Sequence, residues 1–318
     1  ELFPTDYQNI ERLHRKLAAY LQQATDKGLV NAKTIVVLPE HIGTWLMVSG
    51  EKNELYQAAS LKEAMNWLAV SNPLPFLKAL ISARGDSRLD DAYLRMKAKK
   101  MAKDYQWLFG GLAKEFQVTL VAGTIILPEP SVSQGTLQIG SGALYNSSLV
   151  FGSDGLPMGQ PQRQIYPTYA ESGYLKGDTD TALRVIDTPA GRLGVLIGSD
   201  SWYPENYRKL NEQSTQLVAV PAFVMGGDGW DKPWRGYKSI ATPSEVSLKP
   251  EEASEGEAWH RLTLTARPPS SLASAGVSVF LRGQFWDQRS SGQSFINSNG
   301  QTFADEGTRG ARLLNIWL

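Results

Sequence analysis

The segment from Leu193 to Val220 restricts this chain to very few folds. An apolar run ending in Val195, Leu196 and Ile197 stops at Gly198. A polar turn follows, Ser199-Asp200-Ser201, and Tyr203-Pro204-Glu205 then opens a helix that carries Tyr207, Arg208 and Leu210. A second apolar run, Leu217–Val220, comes next. Short apolar runs without polar alternation mark strands covered on both faces. Strand, helix and strand in that order make a β-α-β unit, so parallel pairing is expected. Thr34–Leu38 (TIVVL) and Val118–Leu127 (VTLVAGTIIL) are further runs of the same kind. Between them lie amphipathic helices such as Asp6–Lys27, whose Ile10, Leu13, Leu17, Tyr20 and Leu21 recur at helical spacing. The expectation is a layered α/β domain.

The other elements are read in the same way. Glu54 to about Gly111 is a long helical region, broken at Asn72-Pro73-Leu74-Pro75 and at Arg84-Gly85-Asp86-Ser87. Its last part, Leu89–Phe109, reads as one basic amphipathic helix. Trp67–Ile81 is unusually apolar around its prolines, which suits a helix pair packed on the domain, or a lid, partner surface or membrane-surface patch. Ala143–Phe151 and Leu183–Ile186 read as strands, and Gln162–Tyr174, which contains RQIYPTYAESGY, as a loop. Gly226–Glu257 reads as a long irregular loop. Ala258–Ala275 begins as a helix that Pro268-Pro269 must break. Val277–Leu281, Gln293–Ile296 and Leu313–Trp317 read as closing strands, with Asn299-Gly300 as a hairpin turn.

Composition removes several functional classes. The chain has 318 residues and no cysteine, so disulfides and thiolate catalysis are excluded. Basic and acidic residues balance at 32 each, which offers no nucleic-acid groove. His14, His41 and His260 show no metal-ligand spacing. No apolar run approaches the roughly 18 residues of a membrane span.

Four stretches together resemble the nitrilase, or carbon–nitrogen hydrolase, superfamily. TIVVLPEH matches that family's strand followed by Pro-Glu. RQIYPTYAESGYLKGD is similar to Arg-Lys-x-x-Pro-Thr-x-x-Glu, and GVLIGSDSWYPENYRKL to Gly-x-x-Ile-Cys-x-Asp-x-x-x-Pro-Glu-x-x-Arg. SGQSFINSNG resembles Gly-x-Ser-x-Ile followed by a turn glycine. The resemblance implies a single domain over residues 1–318, a four-layer α-β-β-α sandwich, with the helical region at about 54–111 as an insertion. In that family a cysteine thiolate attacks a nitrile or amide carbon, a glutamate is general base and a lysine stabilises the oxyanion. Carried over by position, Glu40 matches the glutamate and Glu171 a supporting glutamate. Gln164 stands where the lysine belongs, and Gly198 where the cysteine belongs.

Those two positions lead to the expectation of a catalytically inactive relative with a ligand- or partner-binding role. Ser199, Tyr169 and Trp202 are the candidate ligand contacts. The alternative is a carbon–nitrogen hydrolase with a relocated nucleophile such as Ser199. Asp200 is expected to accept backbone hydrogen bonds around the turn. No cofactor or metal is implied. The resemblance puts a homodimer contact on the helix after the turn, although Arg267-Pro268-Pro269 departs from the family's Arg-Ala-x-Glu-Asn. It also implies a first strand, ending in Gln, before the first helix, at about the point where this chain begins. The expectation is therefore an upstream segment supplying that strand, with an export signal or anchor, and an exported or membrane-anchored protein. A cytoplasmic protein is the alternative.

Overall fold

The computed structural model describes residues 1–169, 171–179, 183–237, 243, 248–264, 273, 275–304 and 310–317. Two strand systems face each other. In one, Ile35–Val37 runs parallel to Thr119–Val121, which pairs antiparallel with Val150–Phe151. Ile125–Pro128, Leu144–Ser148 and Gln162–Arg163 continue it as an antiparallel set. A hydrogen bond from Ala122 N to Leu149 O (3.0 Å) joins the two sets. The other is a six-stranded sheet. Its order across the sheet is Gln301–Ala304, Phe295–Ser298, Ala275–Phe280, Leu217–Ala222, Gly191–Val195 and Val185–Thr188. Gly191–Val195 is parallel to Leu217–Ala222, as the β-α-β reading requires, and Leu217–Ala222 is parallel to Ala275–Phe280.

Side-chain alternation along the buried strands builds the layers, because neighbouring residues leave a strand on opposite faces. Val121, Val150, Val195, Leu217 and Ala219 meet between the sheets. Leu120 faces outward to Leu13, Leu17 and Leu21 of the helix Ile10–Asp26. Leu196, Val218 and Val220 face the other way, to Tyr207 and Leu210 of the helix Pro204–Glu212 and Trp259 of the helix Glu255–Leu262. The fold is thus an α-β-β-α sandwich. The first helix starts at Ile10, with Asn9 Oδ1 accepting from Arg12 N at 2.8 Å.

Several boundaries differ from the sequence reading. Val118–Leu127 is two strands, because the chain kinks through Ala122-Gly123-Thr124. Between residues 53 and 116 the chain is a series of helices with breaks at 57–60, at Asn72 and at 83–87, but Leu89–Phe109 is not one helix. It divides into Arg88–Met96, Ala98–Tyr105 and a wide turn at Gln106–Gly110. Lys97 sits at the break and pairs with Glu51. Leu313–Trp317 forms no strand. It has no ladder partner among the described residues, and Ile316 instead packs against the inter-sheet cluster. This segment borders a groove of about 560 Å³ between the sheets, also lined by Ile35, Val37 and Ala219. The region read as a loop ends earlier than expected. Ser254 Oγ accepts from Glu257 N, and the Glu257 carboxylate accepts from Ser254 N, so the helix starts at Glu255. Gln284–Phe285 and Gln288–Ser291 are strands that the sequence did not announce. Arg267-Pro268-Pro269 lies outside the described residues.

Candidate functional site

Glu40 follows the strand Ile35–Val37 at its carboxyl end, and the kink in the neighbouring strand holds it there. Leu38 N donates to Val121 O (3.0 Å), His41 N to Thr124 Oγ1 (2.8 Å) and Gly43 N to Thr124 O (2.9 Å). Gly123 has φ +61°, and a Cβ on it would lie 2.0 Å from Pro39 O. Only glycine lets the two backbones approach so closely. His41 itself takes φ +62°, a left-handed geometry that costs a non-glycine residue about 1–2 kcal/mol.

Gln164 is set by two backbone bonds, its N–H donating to Asn146 O (2.8 Å) and its O accepting from Asp178 N (3.0 Å). Asp200 ties that loop to the turn after Ile197. Its carboxylate accepts from Ile165 N (2.9 Å) and Tyr166 N (2.8 Å). The turn is a single tight helical coil, Gly198–Trp202. Ser201 Oγ donates to Gly198 O and Tyr207 Oη to Ser201 O, both at 2.8 Å.

These supports bring Glu40, Gln164 and Gly198 to one point. A Cβ built on Gly198 would stand 3.0 and 3.1 Å from the Glu40 carboxyl oxygens and 3.4 Å from Gln164 Nε2. Gly198 has φ +52°. Asn146 completes the group, its Nδ2 donating to Glu40 Oε1 (2.8 Å) and Gln164 Oε1 (3.2 Å). Glu40 and Gln164 are 5% and 2% exposed, so the polar groups form a closed knot over Gly198.

A second layer surrounds the knot. His41 Nε2 lies 3.4 Å from Glu171 Oε1 and 3.9 Å from Glu40 Oε1. Glu171 also accepts from Thr168 N and Oγ1. Burial pushes Glu40 up to about 8, aided by the charge of Glu171 and opposed by His41 and the Asn146 bond. Glu40 is therefore protonated at neutral pH. Burial also opposes the charges on His41 and Glu171. Their mutual attraction outweighs it, so His41 is raised and Glu171 lowered. Burial pushes Asp200 up to about 7, against the backbone N–H groups that favour its ionised form. The site thus sets a histidine and a carboxylate that favour each other's charged forms beside a carboxylic acid that burial holds in its neutral form.

The other sequence candidates sit around this centre. Ser199 is buried, and its Oγ donates to Tyr166 O at 3.3 Å. Trp202 is buried among Trp234, Trp259 and Tyr237, so it belongs to an aromatic core cluster. Tyr169 is exposed. His41 and Asn146 were not singled out as site residues by sequence. A polar residue inside the buried strand Leu144–Ser148 was the available signal for Asn146. Among the described residues no group of three or more His, Cys, Asp or Glu is placed to hold a metal.

The sequence model of the carbon–nitrogen hydrolases matches residues 4–268. No curated protein matches the chain. Among solved structures, the chain is similar to a carbon–nitrogen hydrolase from Helicobacter pylori G27. That match has 18% identity and TM-score 0.53, over 92% of this chain and 79% of the other. It is similar to a Saccharomyces cerevisiae member of branch 10 of the nitrilase superfamily, with 17% identity and TM-score 0.52 over 95% and 81%. It is also similar to a mutant of the amidase from Nesterenkonia sp. AN1 with acrylamide added at its active-site cysteine. Here identity is 12% and the TM-score 0.51, over 93% and 82%. At such identities the likeness is one of fold.

Proposed function

The chain belongs to the carbon–nitrogen hydrolase family, and on that premise we propose that it is a catalytically inactive member, a pseudoenzyme whose former reaction centre now serves as a structural core for binding a partner. One observation carries this reading: the Glu40 carboxyl lies about where the side chain of residue 198 would begin, and residue 198 is glycine. Covalent hydrolysis of an amide or nitrile needs a nucleophile, a base to take its proton and a charge to stabilise the oxyanion. Gly198 offers no nucleophile. Glu40, pushed up to about 8 by burial, keeps a base's proton affinity but has no nucleophile beside it to deprotonate. Gln164 supplies an amide where a cation would be needed, and the amide is held by Asn146. The closed hydrogen bonding around Glu40 leaves little room for a substrate, which favours a partner at the surface over a small ligand at the centre.

The test is an assay of wild type, Gly198→Cys and Gly198→Cys/Gln164→Lys on a panel of aliphatic and aromatic amides and nitriles. Wild type and the single variant should show no turnover above buffer. Wild-type turnover that disappears in Glu40→Gln overturns the proposal. So does a covalent adduct of a serine-directed electrophile mapped to Ser199, which would establish a relocated nucleophile.

A further inference from the structure

The helix Pro73–Ser82 (PLPFLKALIS) is apolar around most of its circumference, yet Ala79 is its only buried residue. A helix with apolar residues on every side belongs in a protein core or in lipid. Phe76 and Leu80 face the body of the protein, and Phe76 stacks on Tyr93 with ring centres 5.1 Å apart. Leu74, Leu77 and Ile81, spaced three and four residues apart, share the opposite face. Leu74 is 78% and Ile81 73% exposed. Trp67 and Val70 on the preceding helix Leu61–Ser71 extend the exposed apolar surface.

The helix pair is anchored, so this face is held outward. Ser87 N donates to Gly173 O (2.8 Å), on the loop that carries Glu171, and Arg88 Nη2 donates to Leu80 O (2.9 Å). The charge pattern selects the occupant. The one acidic residue of the pair is Glu63, in the first turn of Leu61–Ser71 on the side of Trp67 and Val70, where its carboxylate accepts from Ala59 N at 2.9 Å. From Ala64 to Ala83 no acidic residue occurs, and Lys78 borders the Leu74–Leu77–Ile81 face. Arg84 follows the helix. Both cations are exposed, and neither forms an ion pair among the described residues. Asp86 and Asp90 come only after the turn at Gly85. Cations on long stems at the edge of an apolar helical face suit an anionic lipid interface, where the stems lie along the acyl boundary and the charges meet headgroups. Trp67 is of the residue type enriched at that depth. Ten residues make about 15 Å of helix, half of what a bilayer core requires, so the helix can lie in the interface but not cross it. Among the described residues no helix is long and apolar enough to span a membrane.

We infer that the helix pair Leu61–Ser82 docks this protein on the surface of a bilayer containing anionic lipid, through Trp67, Val70, Leu74, Leu77 and Ile81, with Lys78 and Arg84 at the headgroups. The inference is independent of whether the candidate site is catalytic. It is tested by flotation with vesicles of phosphatidylcholine alone and of phosphatidylcholine and phosphatidylglycerol in equal parts. Wild type floats with the mixed vesicles and more weakly with the neutral ones. Leu74→Ser/Leu77→Ser/Ile81→Ser stays in solution. Lys78→Glu/Arg84→Glu binds the mixed vesicles at least about tenfold more weakly, since each cation near an anionic surface contributes about fivefold. Both variants keep the wild-type melting curve, because every altered side chain is exposed. The inference is overturned if wild type ignores both vesicles or binds them equally, or if the serine variant binds as wild type does. Dimerisation of wild type without vesicles, abolished in the serine variant, would likewise overturn it by giving the face to a second copy.

Discussion

Glu40 carries the clearest pH signature of any side chain in the site. Folded, it keeps its proton up to about pH 8, whereas unfolded it loses it near 4.5. Between those values the folded state binds the additional proton, so this group's contribution to stability falls as pH rises. Glu40→Gln removes the loss. Its melting temperature should exceed that of wild type above pH 8, by a few kcal/mol of stability, and the gap should close below pH 4.5. A gap that grows toward acid would show Glu40 to be ionised in the folded protein. The His41–Glu171 pair behaves differently. Glu171 contributes above 4.5 and loses that contribution as pH falls through its lowered value. His41 contributes fully below 6.5 and loses it as pH rises through its raised value. His41→Ala leaves a buried carboxylate without its partner and should cost on the order of 3 kcal/mol in that window, read by urea denaturation at several pH values. Gly198→Ala should cost about 1–2 kcal/mol, because an L-residue at φ +52° is strained and its Cβ presses on the Glu40 carboxyl. If Gly198→Ala proved as stable as wild type, the turn would be shown to relax freely.

At the level of elements, Asp200 is the clamp between the Gln164 loop and the turn. Its two accepted backbone bonds span residues 34 and 35 positions apart. Asp200→Ala strands two buried N–H groups and should cost about 2–4 kcal/mol. It should also raise hydrogen exchange at Ile165 and Tyr166 above that at Val218. Equal protection in the variant would assign the loop's position to packing alone. The sequence showed that Asp200 accepts backbone N–H groups, but it placed those groups around the turn itself and not on the distant Gln164 loop. In the helical region it marked the breaks at Asn72-Pro73 and Arg84–Ser87, but nothing local marks the one at Lys97, whose ammonium pairs with the distant Glu51. The same holds for Leu313–Trp317. Its composition suits a strand, but a strand needs a neighbour's free edge, and that is a property of the assembled sheet.

At the scale of the whole molecule, the resemblance places a homodimer contact on the helix Pro204–Glu212, and we propose that this contact exists. That helix turns Asn206, Tyr207 and Leu210 inward and leaves Arg208, Lys209 and Glu212 exposed, so a dimer built on it would be polar and weakened by salt. Light scattering should give twice 35.0 kDa at low ionic strength and a lower mass at high salt. A mass of 35.0 kDa at every concentration would dispose of the dimer. Taken by itself, the hydrophobic pattern of the sequence determined a layered α/β domain, because continuous apolar runs can be satisfied only by cover on both faces; the four-layer sandwich was implied by the resemblance. The sequence also determined that no thiol exists anywhere in the chain, and it placed Glu40, Gln164 and Gly198 at the ends of the elements that carry them. Only the tertiary structure decided that Glu40 and Gln164 stand 3.0–3.4 Å from the place a Cβ on Gly198 would take, and that Asn146 and His41 join them. It decided too that Trp202 is core and that Leu74 and Ile81 are not. The reason is physical: hydrophobic patterning records how much of a side chain must leave water, but not which distant strand or loop will cover it, and a buried polar group becomes legible only when its partners are in place.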